Sequence, residues 1–269
     1  MTALTKNLSF PRYVRKIWHR RYFIAATARA NLKVQHARSY LGRLWLLLSP
    51  LALAVTYFLL VMVLAQRGQP EADYFMYLTS GIFAFYFLSN AISSGSNSVT
   101  SASGLILQQP IPALVFPLAA LFTAWKRFAP ALIVLLIGSV ALSTLNVADL
   151  APIGISLLLL IVLAYGISTL AAVSQVFLRD TASAIPLLLR VLLYTSPVLY
   201  NASDLPENFQ VVSFLNPFFW PIAAWCSAWG QGEAVAPFNW LVATGYALII
   251  ALVSTALFLS SEKRFATHV

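Results

Sequence analysis

Long apolar stretches separated by short polar turns run along most of the chain. Each is close to the roughly 20 apolar residues that a helix needs to cross the hydrocarbon core of a membrane. The pattern therefore predicts an all-α integral membrane protein with six transmembrane helices, near residues 44–65, 74–93, 113–146, 152–178, 183–200 and 238–259. The third stretch is longer than one ordinary span, and two adjacent cations, Lys126 and Arg127, interrupt it.

Residues 1–43 precede the first span and show a different pattern. They carry ten Lys or Arg residues and no acid. Apolar residues recur at helical spacing, at Val14, Ile17, Trp18, Tyr22, Ala25, Ala28 and Leu32. This spacing predicts a cytoplasmic amphipathic helix in the membrane interface, with its cations toward lipid headgroups or water. We expect residues 44–269 to form one transmembrane domain.

Residues 201–237 lie between the fifth and sixth stretches and contain three acids and four prolines. Their apolar part, residues 217–229, is shorter than the roughly 20 residues of a helical span. The segment is therefore predicted to be re-entrant, entering the membrane from the outside and returning to the same side.

Composition and charge agree with a membrane protein. Hydrophobic residues make up 60% of the chain, charged residues 9%, and the mean hydropathy is +0.80, which excludes a soluble domain. Acids cluster in the turns assigned to the outside, and nearly all Lys and Arg lie inside, which places both termini in the cytoplasm. This topology accounts for the net charge of +9 without a nucleic acid partner.

The sequence contains no constellation typical of an enzyme or a metal site. It has no G-x-x-x-x-G-K-[ST] phosphate loop, so the chain is not expected to bind ATP in the usual way. His19, His36 and His268 lie in basic segments without acids or cysteines at metal-ligand spacing. Cys226 is the single cysteine and is expected to have a packing role. We therefore expect no cofactor or metal on this chain.

Short motifs follow one another in the second half of the chain. Arg179-Asp180 precedes the fifth stretch, Ser196 to Tyr200 (SPVLY) ends it, and DLP at 204–206 and LNP at 215–217 follow. Residues 29–50 add a basic segment that enters the first stretch through Leu-Gly-x-Leu-Trp and a proline. With these motifs in this order, the chain resembles the permease subunits of ABC-2 type exporters for lipid-linked polysaccharides over nearly its whole length.

The resemblance implies a transport function in the bacterial plasma (inner) membrane. A homodimer of the chain would work with two copies of an ABC nucleotide-binding subunit, which would bind ATP and Mg. The substrate would be a polyprenyl-diphosphate-linked polysaccharide of the O-antigen, galactan or teichoic acid type, exported from the cytoplasm. An ABC-2 permease for drugs or lipids is the alternative. A membrane-bound glycan-processing enzyme is a further rival, but it lacks a catalytic constellation.

The resemblance also implies where the ATPase docks. Its coupling helix falls on residues 101–112, and the candidate residues are Ser101, Leu105, Gln108, Gln109, Pro110, Arg179 and Asp180. A plain polar loop is the alternative for residues 101–112, and a local ion pair is the alternative for Arg179 and Asp180. The N-terminal helix either touches the ATPase or serves only as an anchor among membrane lipids.

Cations and aromatic rings suggest a substrate path. The candidates are Lys126, Arg127, Arg190, Tyr86 and Phe87. Cations are costly within a membrane, so they either attract the diphosphate of the substrate or serve structure, by snorkelling to headgroups or by packing helices. The rings either stack on sugars or belong to an interfacial belt and the core.

Candidates in and next to the re-entrant external segment are Pro197, Tyr200, Asn216, Pro217 and Trp225.

Overall fold

The computed structural model describes residues 10–36, 40–65, 72–109, 111–142, 147–201, 210–229 and 235–268. Within these ranges all regular structure is helical, which confirms the predicted all-α class. The α-helices are α1 (Phe10–His19), α2 (Arg21–His36), α3 (Trp45–Ala65), α4 (Ala72–Ser96), α5 (Ser103–Gln108), α6 (Val115–Ala141), α7 (Leu150–Phe177), α8 (Thr181–Thr195), α9 (Gln210–Leu215), α10 (Phe219–Trp229) and α11 (Pro237–His268).

Within the part of the chain that the structure describes, four helices are long and apolar enough to cross a membrane. The qualifying stretches are Tyr74–Ser96, Val115–Ala141, Val147–Phe177 and Pro237–Phe265, and they coincide with the second, third, fourth and sixth predicted spans. The first predicted span falls in α3, of which Leu47–Leu59 is described as an apolar stretch, and the fifth corresponds to the shorter apolar helix Thr181–Thr195. The chain is therefore a multi-pass helical membrane protein.

The third apolar stretch forms one helix. α6 runs through Lys126 and Arg127 without a break and also contains Pro130. Trp125, just before the two cations, lies inside the same helix. Lys and Arg are good helix formers, so two cations need not interrupt a helix when their side chains find partners.

The N-terminal region forms two consecutive helices instead of one, because α1 ends at His19 and α2 begins at Arg21. α2 packs on α6, where the Phe23 and Phe116 rings meet edge to face with their centroids 6.3 Å apart. Trp18 and Tyr22 are 67% and 73% exposed, so this part of the predicted apolar stripe is not buried by the protein itself. It remains available to a membrane interface.

α4 is the central helix of the fold. It packs on α6, α7, α10 and α3, and 78% of its most apolar stretch is buried, against 22% for the corresponding stretch of α11.

Small residues allow neighbouring helices of the bundle to approach closely. A Cβ added to Gly166 of α7 would lie 2.8 Å from the backbone nitrogen of Ala251 in α11, so only glycine fits this contact.

Candidate functional site

A polar groove opens between α2, α4 and α6. Its volume is about 730 Å³. Small hydroxyl and amide side chains form much of its wall, among them Thr27, Asn31, Ser93, Asn97, Ser101 and Thr123. Such a surface offers neutral hydrogen-bond donors and acceptors, which suit the hydroxyl groups of a sugar as well as water.

A smaller pocket of about 170 Å³ lies beside the polar groove, between α3, α4 and α6. We call it the aromatic pocket because Trp45, Phe83, Tyr86, Phe87 and Phe128 line it. Rings of this kind bind apolar chains and stack on the faces of sugars and other flat groups.

Arg127 lies at the junction of the two cavities. Together with Asn90 it lines both of them, and its Nη1 donates a hydrogen bond of 3.0 Å to Asn90 Oδ1. Among the described residues that line the two cavities, Arg127 alone carries a charge. A half-buried guanidinium in neutral surroundings creates a local preference for an anion.

Lys126 and Arg127 diverge although they are neighbours in sequence. Lys126 Nζ lies 4.8 Å from the ring centroid of Phe122, one turn earlier in α6. Successive residues of an α-helix point about 100° apart, so only one of the two cations can face α4. Of the pair that the sequence suggested, the structure brings Arg127 to the cavities, and Lys126 makes a cation–π contact within its own helix.

The two aromatic candidates have different environments. Phe87 is buried and packs on Phe128 and Trp125, with ring centroids 5.1 and 6.4 Å away. Tyr86 is 39% exposed and lines the same pocket. Phe87 therefore serves mainly the core, and Tyr86 presents an accessible ring.

Arg190 lies apart from this site. It is exposed on α8 and lines neither cavity. The same helix contacts α3 through the hydroxyls of Tyr57 and Tyr194, whose oxygens are 3.1 Å apart. Arg190 and Arg127 therefore do not form a joint binding site within one copy of the chain.

The SPVLY motif is fixed to the first part of α4. The Tyr77 hydroxyl lies 2.9 Å from the carbonyl oxygen of Pro197 and 3.0 Å from that of Tyr200. The Tyr74 hydroxyl donates to the carbonyl of Leu199 at 3.0 Å. We call this arrangement, with Asn216 and Trp225, the motif clamp.

The LNP motif completes the motif clamp. Asn216 Nδ2 donates to Ser196 Oγ at 3.0 Å and to Thr195 Oγ1 at 3.1 Å, and its Oδ1 accepts a bond of 2.9 Å from the backbone of Phe218. Pro217 is half-buried in the turn before α10. Two motifs recognised separately in the sequence therefore meet, and together they orient α10.

α10 packs against α4 with little space between them. Trp225 is fully buried, and its Nε1 donates to the carbonyl of Ser80 at 2.9 Å. A Cβ added to Gly81 would lie 2.7 Å from Cys226 Sγ, which accounts for glycine at this position. Cys226 is a buried free thiol, in agreement with its expected packing role.

The ATPase-coupling candidates lie on the surface. Ser101 falls in a 3₁₀ turn, and Leu105 and Gln108 lie on α5, with Gln109 at its C-terminal cap. All four are exposed, and Pro110 lies outside the described residues. Arg179 and Asp180 form the exposed turn between α7 and α8, where Gln175 Nε2 donates to the Arg179 carbonyl at 3.2 Å.

Asn90 was not among the candidates suggested by the sequence. An amide in an apolar helix next to a serine-rich stretch was the available signal, but it did not indicate contact with Arg127, 37 residues away.

No group of three or more His, Cys, Asp or Glu residues placed to hold a metal ion occurs in the part of the chain that the structure describes.

No protein-family model matches the chain, but curated relatives do. It is 25% identical over 244 residues to the O-antigen export system permease protein RfbA of Klebsiella pneumoniae, covering 88% of this chain and 90% of that protein. RfbA of Myxococcus xanthus is 20% identical over 260 residues, with coverages of 96% and 99%. The polysialic acid transport protein KpsM of Escherichia coli is 20% identical over 188 residues, with coverages of 70% and 73%. The resemblance seen in the motifs is thereby confirmed, and the chain is a distant homologue of the ABC-2 type permeases of polysaccharide export.

Proposed function

We propose that this chain is the transmembrane permease subunit of an ATP-driven ABC exporter. The substrate is a polyprenyl-diphosphate-linked polysaccharide that moves outward from the cytoplasm. The observation that carries the proposal is Arg127 at the junction of the polar groove and the aromatic pocket. The relatives add support for the substrate class, because their names describe O-antigen export and polysialic acid transport.

Arg127 is suited to bind the diphosphate group. A guanidinium offers several N–H donors in a planar fork that matches phosphate oxygens, and it stays charged when partly buried. Asn90 accepts one of these N–H groups and thereby fixes the side chain. Ionisable groups within membrane helices are costly to keep, which favours a functional role for this one.

The two cavities suit the parts of the substrate on either side of the diphosphate. The neutral hydroxyls and amides of the polar groove can exchange hydrogen bonds with sugar hydroxyls. The aromatic pocket can hold the first units of the polyprenyl chain or stack on the first sugar. Tyr86 would contact the substrate there, and Phe87 would support the wall from behind.

For the topology we propose six spans, formed by α3, α4, α6, α7, α8 and α11. α3 has 21 residues and so a length of about 30 Å, which matches the hydrocarbon core. α8 has 15 residues, about 22 Å, and a short span of this kind is accommodated by local thinning of the bilayer. α10 has 11 residues, about 16 Å, which fits a re-entrant segment on the outer side. Both termini then lie in the cytoplasm.

The energy for transport would come from a separate nucleotide-binding subunit that holds ATP and Mg. The chain has no phosphate loop, and α5 offers an exposed surface with Leu105 and Gln108 for docking. Closure of the ATPase would push α5 and open the seam between two copies of the permease. Arg179 and Asp180 are a second candidate contact on the same proposed side.

A homodimer is supported by the outer face of α8. Arg190 is exposed there, among the exposed apolar side chains of Leu187, Leu188 and Val191. A cation facing lipid is unfavourable, so a second copy or a water-filled seam should cover this face.

Val191→Cys, placed in a Cys226→Ser background, should form a disulfide between two copies. Ile137→Cys, on an equally exposed face of α6, should stay monomeric, and the opposite result would place the seam elsewhere.

The function is tested with the chain co-purified from membranes with its nucleotide-binding subunit and reconstituted in lipid. ATP hydrolysis is measured with and without an undecaprenyl-diphosphate-linked oligosaccharide. Stimulation by this probe supports the exporter. Stimulation only by small amphiphilic drugs or lipids would favour the alternative pump, and failure to co-purify with any ATPase would contradict the proposal.

A further inference from the structure

Glu262 is a carboxylate placed among three distant parts of the chain. Its Oε1 accepts a hydrogen bond of 2.6 Å from the backbone N–H of Ala113 and one of 3.1 Å from the Tyr13 hydroxyl. It therefore joins α1, the start of α6 and the end of α11. In the sequence, Glu262 stands as a single acid beside Lys263 and Arg264, and no local pattern indicates a role for it.

The hydrogen bonds of Glu262 lie beside a buried apolar cluster. Tyr13, Leu114, Phe258 and Phe265 are buried side chains of one apolar cluster at this point. Burial and the adjacent carboxylate raise the pKa of the Tyr13 hydroxyl, so it remains protonated and can donate. Hydrogen bonds in such a setting are strong, and the loss of one leaves a buried polar group without that partner.

The bond to Ala113 acts on the start of α6. The first N–H groups of a helix have no partner within that helix, and this end carries a partial positive charge. Glu262 supplies an acceptor from another helix to the N–H of Ala113, two residues before Val115, the first residue of α6. Arg127 lies twelve residues further along the same helix, about 18 Å away.

The same point is the end of the proposed coupling connection. Residues 101–112 lead directly into Ala113, and the Val115 N–H donates to the Pro112 carbonyl at 3.1 Å. A displacement of α5 by a partner subunit would therefore act on the segment that carries the Ala113–Glu262 hydrogen bond, next to the start of α6.

We propose that Glu262, with Tyr13, is a positioning residue for transport that makes α1, α6 and α11 move together when α5 is displaced. The movement of α6 then carries Arg127 and the polar groove with it. This inference rests on the proposed function, because it assumes an ATPase that acts on α5. It assigns no contact between Glu262 and the substrate.

The test compares variants in the reconstituted complex by the number of lipid-linked oligosaccharides moved per ATP hydrolysed. Glu262→Ala should lower this ratio about fivefold or more, the low end of ordinary coupling between sites. Glu262→Gln keeps an acceptor oxygen and should have a smaller effect. Tyr13→Phe removes only one of the two bonds and should lower the ratio about twofold. Lys263→Gln, an exposed neighbour, is the control and should keep the wild-type ratio.

The ratio separates a positioning role from a purely structural one. A loss of folded complex would lower transport and ATP hydrolysis in proportion and leave their ratio unchanged. If Glu262→Ala does not assemble, Glu262→Gln and Tyr13→Phe decide the question. Wild-type ratios in the assembled variants would overturn the inference while leaving the exporter intact, whereas failure of the wild type to move the probe would instead count against the proposed function.

Discussion

The motif clamp and the polar groove are built on the two halves of the same helix, α4, but the polar side chains in the two regions have different surroundings. In the motif clamp, the side chains of Tyr74, Tyr77 and Asn216 are bonded to other parts of the chain, and large rings fill the space between. In the polar groove, small polar side chains border about 730 Å³ of open volume. The first arrangement fixes a shape, and the second leaves room for a ligand. We therefore expect substitutions in the motif clamp to reduce stability and substitutions along the groove to reduce transport.

The largest loss of stability is expected for Trp225→Ala. Removing a fully buried tryptophan leaves a cavity and costs about 3–5 kcal/mol, and here it also removes the bond to Ser80. Trp18→Ala is the matched control, because Trp18 is 67% exposed. Thermal unfolding of the purified protein in detergent measures both, and equal effects would contradict the assigned roles.

The largest loss of transport is expected for Arg127→Gln. A charge-assisted hydrogen bond contributes about 1.5–3 kcal/mol, so transport of the lipid-linked probe should fall roughly tenfold to a hundredfold. Lys126→Gln should reduce transport much less, because Lys126 contacts Phe122 of its own helix. ATP-dependent transport is measured in proteoliposomes with equal amounts of assembled complex. Comparable losses for the two variants would show that the charge of the pair matters and not the position of Arg127.

A smaller loss of stability is expected for Asn216→Ala. The change removes the side-chain bonds to Ser196 and Thr195 and leaves the Phe218 N–H buried without this acceptor, at a cost of about 1–3 kcal/mol. Asn97→Ala, at an exposed position in the groove wall, should change stability by only a few tenths of a kcal/mol. If Asn97→Ala proved the more damaging in thermal unfolding, the contrast between the two regions would be wrong.

The smallest effect is a coupling between Gly81 and Cys226. Gly81→Ala should destabilise the protein because its Cβ would lie 2.7 Å from Cys226 Sγ. Shortening the neighbour in the double variant Gly81→Ala/Cys226→Ala should recover about 1 kcal/mol of that loss. A double-mutant cycle of unfolding free energies gives this coupling energy, and a value of zero would mean that the two positions are independent.

The length and position of apolar stretches were sufficient to predict the long helices, since crossing a membrane imposes a minimum length. The motifs were also informative, and the structure shows that Tyr200 and Asn216 contribute to one hydrogen-bonded unit. The partners across helices were not predictable. Asn90 meets Arg127 only because α4 and α6 adopt one relative rotation, and sequence spacing does not contain that angle.

The relative orientation of side chains and helices also explains why other features were not predicted from the sequence. Lys126 and Arg127 looked equivalent in sequence, but the step of about 100° between neighbours separates their environments. Tyr13 and Glu262 are 249 positions apart in the chain, and no local pattern connects them. The interruption between α1 and α2 also escaped prediction, because the apolar spacing continues across it.

The most direct test of the account is the binding of undecaprenyl diphosphate to the purified permease, compared with undecaprenol, the alcohol that lacks the diphosphate. Native mass spectrometry from lipid nanodiscs can measure both for wild type, Arg127→Gln and Lys126→Gln. Wild type and Lys126→Gln should prefer the diphosphate, and Arg127→Gln should lose about tenfold in affinity for the diphosphate and none for the alcohol. Unchanged diphosphate binding by Arg127→Gln, or equal binding of the two lipids by wild type, would contradict the central role of Arg127.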